Sequence, residues 1–122
     1  MRSWLGILLL LLFCQISKGQ KKWDGEGGDA QWKNPLNWHP DGIPVTTDDV
    51  ILDHTYLTDA FTVILLDTVT SNINSLQLLS NSSASIQLLI PVANTCSPAL
   101  QLNTNAIALL IGKNTILQNR SG

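Results

Sequence analysis

Carboxylates and histidines are the side chains of this chain that most often carry chemistry, and all the acidic ones lie in its first part. Hydrolysis of a glycosidic bond needs two carboxylates that face each other across a groove. Asp48 and Asp49 are adjacent in strand-forming sequence, where successive side chains point to opposite faces, so they do not converge. His39 and His54 lack the spacing of a metal-binding pair. The sequence therefore predicts no enzymatic activity.

A metal site has one set of candidate ligands. Asp24, Glu26 and Asp29 lie in a glycine-rich stretch and offer the oxygen atoms that calcium prefers. Their spacing is not that of the known calcium-binding loop, and a solvated turn is the alternative interpretation. Cys96 is the only cysteine after residue 19 and has no histidine near it in sequence, so we interpret it as a small half-buried filler. No cofactor is predicted.

Three tryptophans, Trp23, Trp32 and Trp38, supply most of the large apolar area of residues 20–44. The glycines and the Asn-Pro pair around them set tight turns. Exposed indole faces would form a platform for sugar rings, which makes these residues candidate carbohydrate-binding residues. Indoles packed on one another would instead form a cap that closes one end of the fold.

Formal charge is absent from the long stretch between Thr68 and Gly112, and the whole chain has a net charge of -2. A nucleic-acid-binding protein shows a basic stripe, and this chain has none. Nucleic acid is therefore excluded as a partner, and extracellular glycans or surface proteins are the expected partners.

Residues 1–19 have the features of a cleaved signal peptide. Arg2 precedes the apolar run 5–13, and the small residues Ser17 and Gly19 precede the predicted cut. The run is far shorter than the roughly 20 residues that span a membrane. We therefore expect a secreted protein, extracellular or at the cell surface, without a stable membrane span.

From residue 45 onward the chain consists of short apolar runs bounded by Asn, Ser, Thr, Gly or Pro, a pattern that predicts strands. The runs are Val50–Leu52, Phe61–Leu66, Ile73–Leu79, Ser85–Ile90, Ala99–Leu102, Ala106–Ile111 and Thr115–Leu117. Two architectures fit these runs: a small antiparallel β-sandwich, and a right-handed parallel β-helix whose coils contain about 20 to 25 residues.

The uncharged stretch favours the β-helix, because the outer faces of a sandwich need charged residues. Asn, Ser and Thr at the corners of a β-helix can instead hydrogen-bond to neighbouring coils, and Asn tolerates the left-handed backbone of sharp corners. We predict an all-β, right-handed parallel β-helix with a Trp/Gly-rich cap at residues 20–44 and coils at residues 45–122. No comparable cap follows the last strand, so we expect the head of a longer protein, truncated at its C-terminus.

The N-terminal motif resembles the opening of large secreted bacterial surface proteins. The matching segments are Trp23-Asp24-Gly25-Glu26-Gly27-Gly28-Asp29-Ala30-Gln31-Trp32, Asn34-Pro35-Leu36-Asn37-Trp38, Gly42-Ile43-Pro44 and Asp48-Asp49-Val50-Ile51-Leu52. Similar openings occur in autotransporter-like adhesins, in type IX-exported proteins and in the G8 domain. The resemblance covers residues 23–90, with Glu26 and Ala30 in place of glycines. It implies secretion, a right-handed β-helix and a role in adhesion or polysaccharide contact, without shared catalytic residues.

Three hypotheses for function follow. The first is the cap and first coils of a secreted, non-enzymatic surface protein that acts in adhesion or matrix contact. The second is the non-catalytic N-terminal part of a carbohydrate-active β-helix enzyme, and the third is a small sandwich that binds a glycan. Asn81-Ser82-Ser83 and Asn119-Arg120-Ser121 also fit the acceptor pattern for N-linked glycans, which means little in a bacterial protein.

Overall fold

The computed structural model describes residues 19–122, so the predicted signal peptide lies outside the described residues except for Gly19. The described chain is strand and turn, apart from one 3-10 turn at Pro35–Asn37. None of its helical segments is long and apolar enough to cross a membrane.

Short runs of alternating apolar and polar residues form the strands, as the sequence predicts. The ten strands are β1 Gly19–Trp23, β2 Trp38–His39, β3 Asp48–Asp53, β4 Phe61–Ile64, β5 Ser71–Ile73, β6 Ser75–Leu79, β7 Ile86–Ile90, β8 Leu100–Leu102, β9 Leu109–Ile111 and β10 Thr115–Asn119.

These strands stack into three sheets. The first sheet has the order β2-β1-β3-β6-β9, the second β4-β7-β10 and the third β5-β8. All pairs between named strands in the described chain are parallel except β1 with β2. Parallel pairing with this order is a right-handed β-solenoid of about three turns. The predicted β-helix is confirmed, and the alternative sandwich is wrong because its strands would pair antiparallel.

The coils are longer than the expected length. Val50 pairs with Leu76 and Leu76 pairs with Leu109, offsets of 26 and 33 residues. The additional residues lie in the corners, chiefly 91–99 and 103–108, which carry no strand. Apolar periodicity in the sequence shows the length of the strands but not the length of the corners. The expected number of residues per coil was therefore too low.

The core is a set of columns in which residues of successive coils lie one above another. Val50, Leu76 and Leu109 form one column of the first sheet. Val63, Leu88 and Leu117 form the corresponding column of the second sheet. In the first two coils every one of these side chains is completely buried, so adjacent coils stabilise each other by covering apolar area.

Polar residues at the corners connect the coils, as the sequence analysis expected. The Asn94 amide donates to the Leu65 carbonyl at 3.0 Å, one coil earlier. The Asn103 amide donates to the Ile73 carbonyl at 2.9 Å. Asn114 has a φ of 56°, the left-handed conformation that Asn tolerates. These bonds satisfy buried backbone carbonyls without formal charge.

The cap is part of the first sheet, which the sequence analysis did not predict. Strand β1 pairs parallel with β3, and β2 then covers its outer edge in the antiparallel sense. In the second sheet, the Trp32 amide donates to the Ile64 carbonyl at 2.9 Å, and the Ile64 amide donates to the Ala30 carbonyl at 2.7 Å. The cap therefore covers the N-terminal edges of the first and second sheets.

Candidate functional site

The three cap tryptophans pack on one another inside the molecule. Trp23 and Trp38 face each other across β1 and β2, with ring centroids 5.1 Å apart and planes at 89°. Trp32 lies edge-on to Trp38 at 4.9 Å and 74°. Aromatic rings prefer this edge-to-face geometry because their edges are positive and their faces negative.

No indole face is available to a sugar in this arrangement. Trp23 is 2% exposed, and Trp32 and Trp38 are fully buried. The Trp38 Nε1 donates to the Trp32 carbonyl at 2.8 Å, whereas the Trp32 Nε1 is buried without a partner among the described residues. The hypothesis that these tryptophans form a carbohydrate platform is therefore wrong for this conformation, and the packed cap is what the structure shows.

A buried asparagine, Asn37, organises the glycine-rich loop of the cap. Its Oδ1 accepts from the Gly27 amide at 2.8 Å, and its Nδ2 donates to the Asp29 carboxylate at 2.8 Å and to the Gln31 carbonyl at 3.0 Å. The Asp24 amide also donates to the Asn37 carbonyl at 2.9 Å. A Cβ on Gly27 would lie only 2.6 Å from the Asn37 Oδ1, so only glycine fits there. Sequence reasoning missed this role of Asn37, although the Asn-Pro-Leu-Asn-Trp step contained it.

The acidic residues of this loop accept hydrogen bonds from the protein and do not gather around a cation. Asp24 accepts from the Glu26 amide at 3.0 Å. Asp29 accepts from the Gln31 amide and from the Asn37 and Asn34 side chains. The Gln31 amide, followed by the Asn37 side chain, holds the pKa of Asp29 below its ordinary value.

The structure does not assemble the calcium candidate. Within residues 19–122, no three His, Cys, Asp or Glu side chains are grouped as metal ligands, so Asp24, Glu26 and Asp29 form no such set. The Asp24 and Asp29 carboxylates instead accept from backbone amides two residues later and fix turns of the loop, while Glu26 is exposed.

The two histidines lie in separate surroundings. His39 packs against the exposed Tyr56 with ring centroids 4.8 Å apart. His54 is buried, where its Nδ1 lies 2.7 Å from the Leu57 carbonyl and its Nε2 lies 3.1 Å from the Ala84 carbonyl. These contacts connect two corners of adjacent coils, which gives His54 a structural role.

The remaining candidate residues are also structural. Asp49 accepts from Asn74 and Ser75 of the next coil, both at 2.6 Å, while Asp48 accepts from the Val45 amide at 2.8 Å. Cys96 is a free, half-buried thiol 3.5 Å from the Asp67 carbonyl. The carboxylates of Asp48 and Asp49 thus have different partners, in agreement with their predicted opposite directions.

The last coil of the described chain exposes apolar side chains that belong to the core columns. We call the face formed by β8, β9 and β10 the open end, because each of these strands is the last in its sheet. Leu109 and Ile111 occupy core columns but are 43% and 41% exposed, whereas Leu76 and Leu78, their partners in the preceding coil, are fully buried. The core therefore continues to the surface at this end.

A groove of about 460 Å³ lies at the open end. Its apolar lining comes from Leu100, Leu102, Leu109 and Leu117 in the last coil and from Ile90 in the coil before it. Polar lining comes from the corner 94–98 and from Asn119 and Ser121. The groove therefore opens onto the apolar interior of the last coil.

The open end also presents unpaired backbone groups. An edge strand carries a row of N–H and C=O groups that can bind another strand. Here β8, β9 and β10 are the last strands of three different sheets, so each has one edge without a strand among the described residues. The sequence analysis anticipated an uncapped last strand but not the groove, because strand patterns do not show cavities.

Comparisons of the chain with protein-family models, with curated proteins and with solved structures found no match.

Proposed function

We propose that this chain is the capped head of a secreted β-helix, and that its open end binds a further coil of the same build. The observation that carries the proposal is the contrast in burial along one column. Leu76 is fully buried beneath Leu109, and Leu109 is 43% exposed with nothing above it. Complete burial of an aliphatic side chain contributes about 1.5 to 3 kcal/mol, so covering each half-exposed core residue would contribute roughly half of that.

The N-terminal end of the β-helix, where the cap lies, differs from the open end and supports the addition of coils at the open end. The cap covers the N-terminal edges of the first and second sheets with β2 and with residues 30–32. The covered edges of these two sheets, set against the uncovered core residues of the last coil, support the addition of coils at the open end.

We further propose that the protein is non-enzymatic and acts in adhesion or polysaccharide contact outside the cell. Because the cap tryptophans are buried, the contact surface is assigned to the outer face of the second sheet. Thr62, Gln87 and Gln118 alternate there with the core residues, and the Gln87 Nε2 donates to the Gln118 Oε1 at 3.1 Å. Hydroxyl and amide groups without formal charge suit the hydroxyl groups of a neutral polysaccharide.

Binding to insoluble neutral polysaccharides tests this role. The full chain is incubated with each polymer and the bound fraction is measured by sedimentation. We expect binding that falls at least several-fold in Gln87→Glu and Gln118→Glu. Val69→Glu serves as the matched control, because Val69 is 63% exposed in a corner. Binding that is absent for all polymers, or equally reduced by the control, contradicts the role.

A further inference from the structure

A serine-rich corner joins β6 to β7 on the side of the β-helix, away from the groove. It contains Asn81-Ser82-Ser83, which fits the acceptor pattern for N-linked glycans. Asn119-Arg120-Ser121 fits the same pattern at the end of β10. The structure places the two patterns in different environments, and this difference allows a choice between them.

The corner that contains Asn81 is exposed, and hydrogen bonds within the corner and from the next coil fix its backbone. Asn81, Ser82 and Ser83 are all exposed. The Ser80 hydroxyl lies 2.7 Å from the Ala84 carbonyl, and the Asn114 amide of the next coil donates to the Ser82 carbonyl at 2.8 Å. These bonds hold the backbone of the corner and do not involve the exposed Asn81 side chain.

Asn119 is also exposed, but its neighbours and hydrogen bonds differ from those of Asn81. It pairs in register with the core residue Ile90 and lines the groove of the open end. Its Oδ1 also accepts from the Ser121 amide at 3.0 Å and from the Ser121 hydroxyl at 2.6 Å. A glycan on Asn119 would fill the mouth of the core, whereas a glycan on Asn81 would extend from a corner without covering any strand edge.

We propose that Asn81 is an N-glycosylation site and that Asn119 is not modified. The donor is an oligosaccharide linked to a lipid pyrophosphate. The Asn81 Nδ2 forms a bond to the anomeric carbon of the sugar and loses one proton, while the bond from that carbon to the pyrophosphate oxygen breaks and the lipid pyrophosphate leaves with the electron pair. The inference rests on the secretion in the proposed function and on an export route that supplies this lipid-linked donor, which the bacterial resemblance alone does not provide. It does not depend on the open end.

Site mapping after secretion from a eukaryotic cell line tests the proposal. The full chain is purified from the medium and treated with a peptide N-glycosidase, an amidase that converts a glycosylated Asn to Asp, and the peptides are analysed by mass spectrometry. We expect conversion at Asn81 in most of the molecules and none at Asn119. Asn81→Gln and Ser83→Ala, which both change exposed residues, should abolish the shift in mass, and Asn119→Gln should retain it.

Two results would contradict the proposal that Asn81, and not Asn119, is glycosylated. One is secreted wild-type protein without conversion at Asn81, and the other is conversion at Asn119. A parallel version carries a host secretion leader ahead of Gln20. If only that version reaches the medium, the proposed signal peptide is wrong while the glycan test is still complete, so the two failures can be distinguished.

Discussion

Leu76 and Leu109 occupy the same column of the first sheet in consecutive coils, yet Leu76 is fully buried and Leu109 is 43% exposed. Position in the β-helix, and not residue type, thus decides how much each leucine contributes to the free energy of unfolding. Leu76 has a coil on both sides, and Leu109 has one on a single side.

Truncation of these two leucines should therefore have unequal effects. We expect Leu76→Ala to lower the free energy of unfolding by about 2 to 5 kcal/mol, the range for a buried leucine that leaves a cavity. Leu109→Ala should cost about 1 kcal/mol or less, because much of its side chain already contacts water. Chemical denaturation followed by circular dichroism measures both values. Equal costs would show that the open end is covered in solution.

The cap provides a second matched pair. Trp38→Phe removes the donor to the Trp32 carbonyl and leaves that buried oxygen unpaired, whereas Trp32→Phe removes an Nε1 that has no partner among the described residues. Both changes delete similar apolar area. Trp38→Phe should therefore be the more destabilising by about 1 to 3 kcal/mol, the usual cost of an unsatisfied buried polar group. Thermal unfolding of the two variants compares them, and a larger loss for Trp32→Phe would contradict the packing described for the cap.

Low pH should destabilise the cap, because it protonates the Asp29 carboxylate. Its pKa is held below the ordinary value of 3.8, chiefly by the Gln31 amide and then by Asn37. A carboxylate with a lowered pKa in the folded state stabilises the fold above its unfolded pKa, and this contribution disappears as pH falls through the folded pKa. We therefore expect Asp29 to contribute fully above about pH 4 and to lose its contribution at lower pH.

The neutral variant Asp29→Asn separates this effect from general acid unfolding. It should be less stable than wild type at neutral pH and should approach wild type as the pH is lowered. Asp41→Asn is the control, because the Asp41 carbonyl and not its carboxylate accepts from Lys21. Melting temperatures across the acid range measure the difference. A gap between Asp29→Asn and wild type that does not narrow at low pH would count against the assignment.

Two corner asparagines should also differ in their contribution to the free energy of unfolding. Asn94 is 1% exposed and donates to the Leu65 carbonyl of the preceding coil, whereas Asn105 is exposed. Asn94→Ala leaves a buried carbonyl without a donor and should cost about 1 to 3 kcal/mol. Asn105→Ala should change stability by less than about 0.5 kcal/mol. Urea denaturation tests both, and similar losses would refute a connecting role for Asn94.

The sequence predicted the coils better than it predicted the cap. Strand alternation and asparagine-rich corners follow from local physics, so the β-helix could be inferred without knowledge of contacts. Strand β1 could not, because Lys21 and Lys22 break any apolar alternation. Lys21 lies in register with the core residue Val50, and its amine instead donates to the Pro40 carbonyl at 2.6 Å. That bond depends on a turn 19 residues away in sequence.

The candidate site was only partly predictable for a related reason. Three tryptophans on tight turns are compatible with a sugar platform or with a packed cap, and only their burial decides between the two. The uncapped last strand was visible in the sequence. The groove was not, because it depends on the long corner 91–99 that places Leu100 and Leu102 beside the open end.

Addition of one coil tests the central claim most directly. Ile90 pairs with Asn119, an offset of 29 residues, so a second copy of residues 91–119 placed directly after Asn119 adds one coil in register. The control carries the same added residues in scrambled order. Amide hydrogen exchange of residues 109–119 is then measured in all three proteins. We predict exchange at least tenfold slower in the extended protein than in wild type or the control, because a new coil pairs with β9 and β10. If residues 109–119 exchange as fast in the extended protein as in the control, the claim that the open end binds a further coil is contradicted.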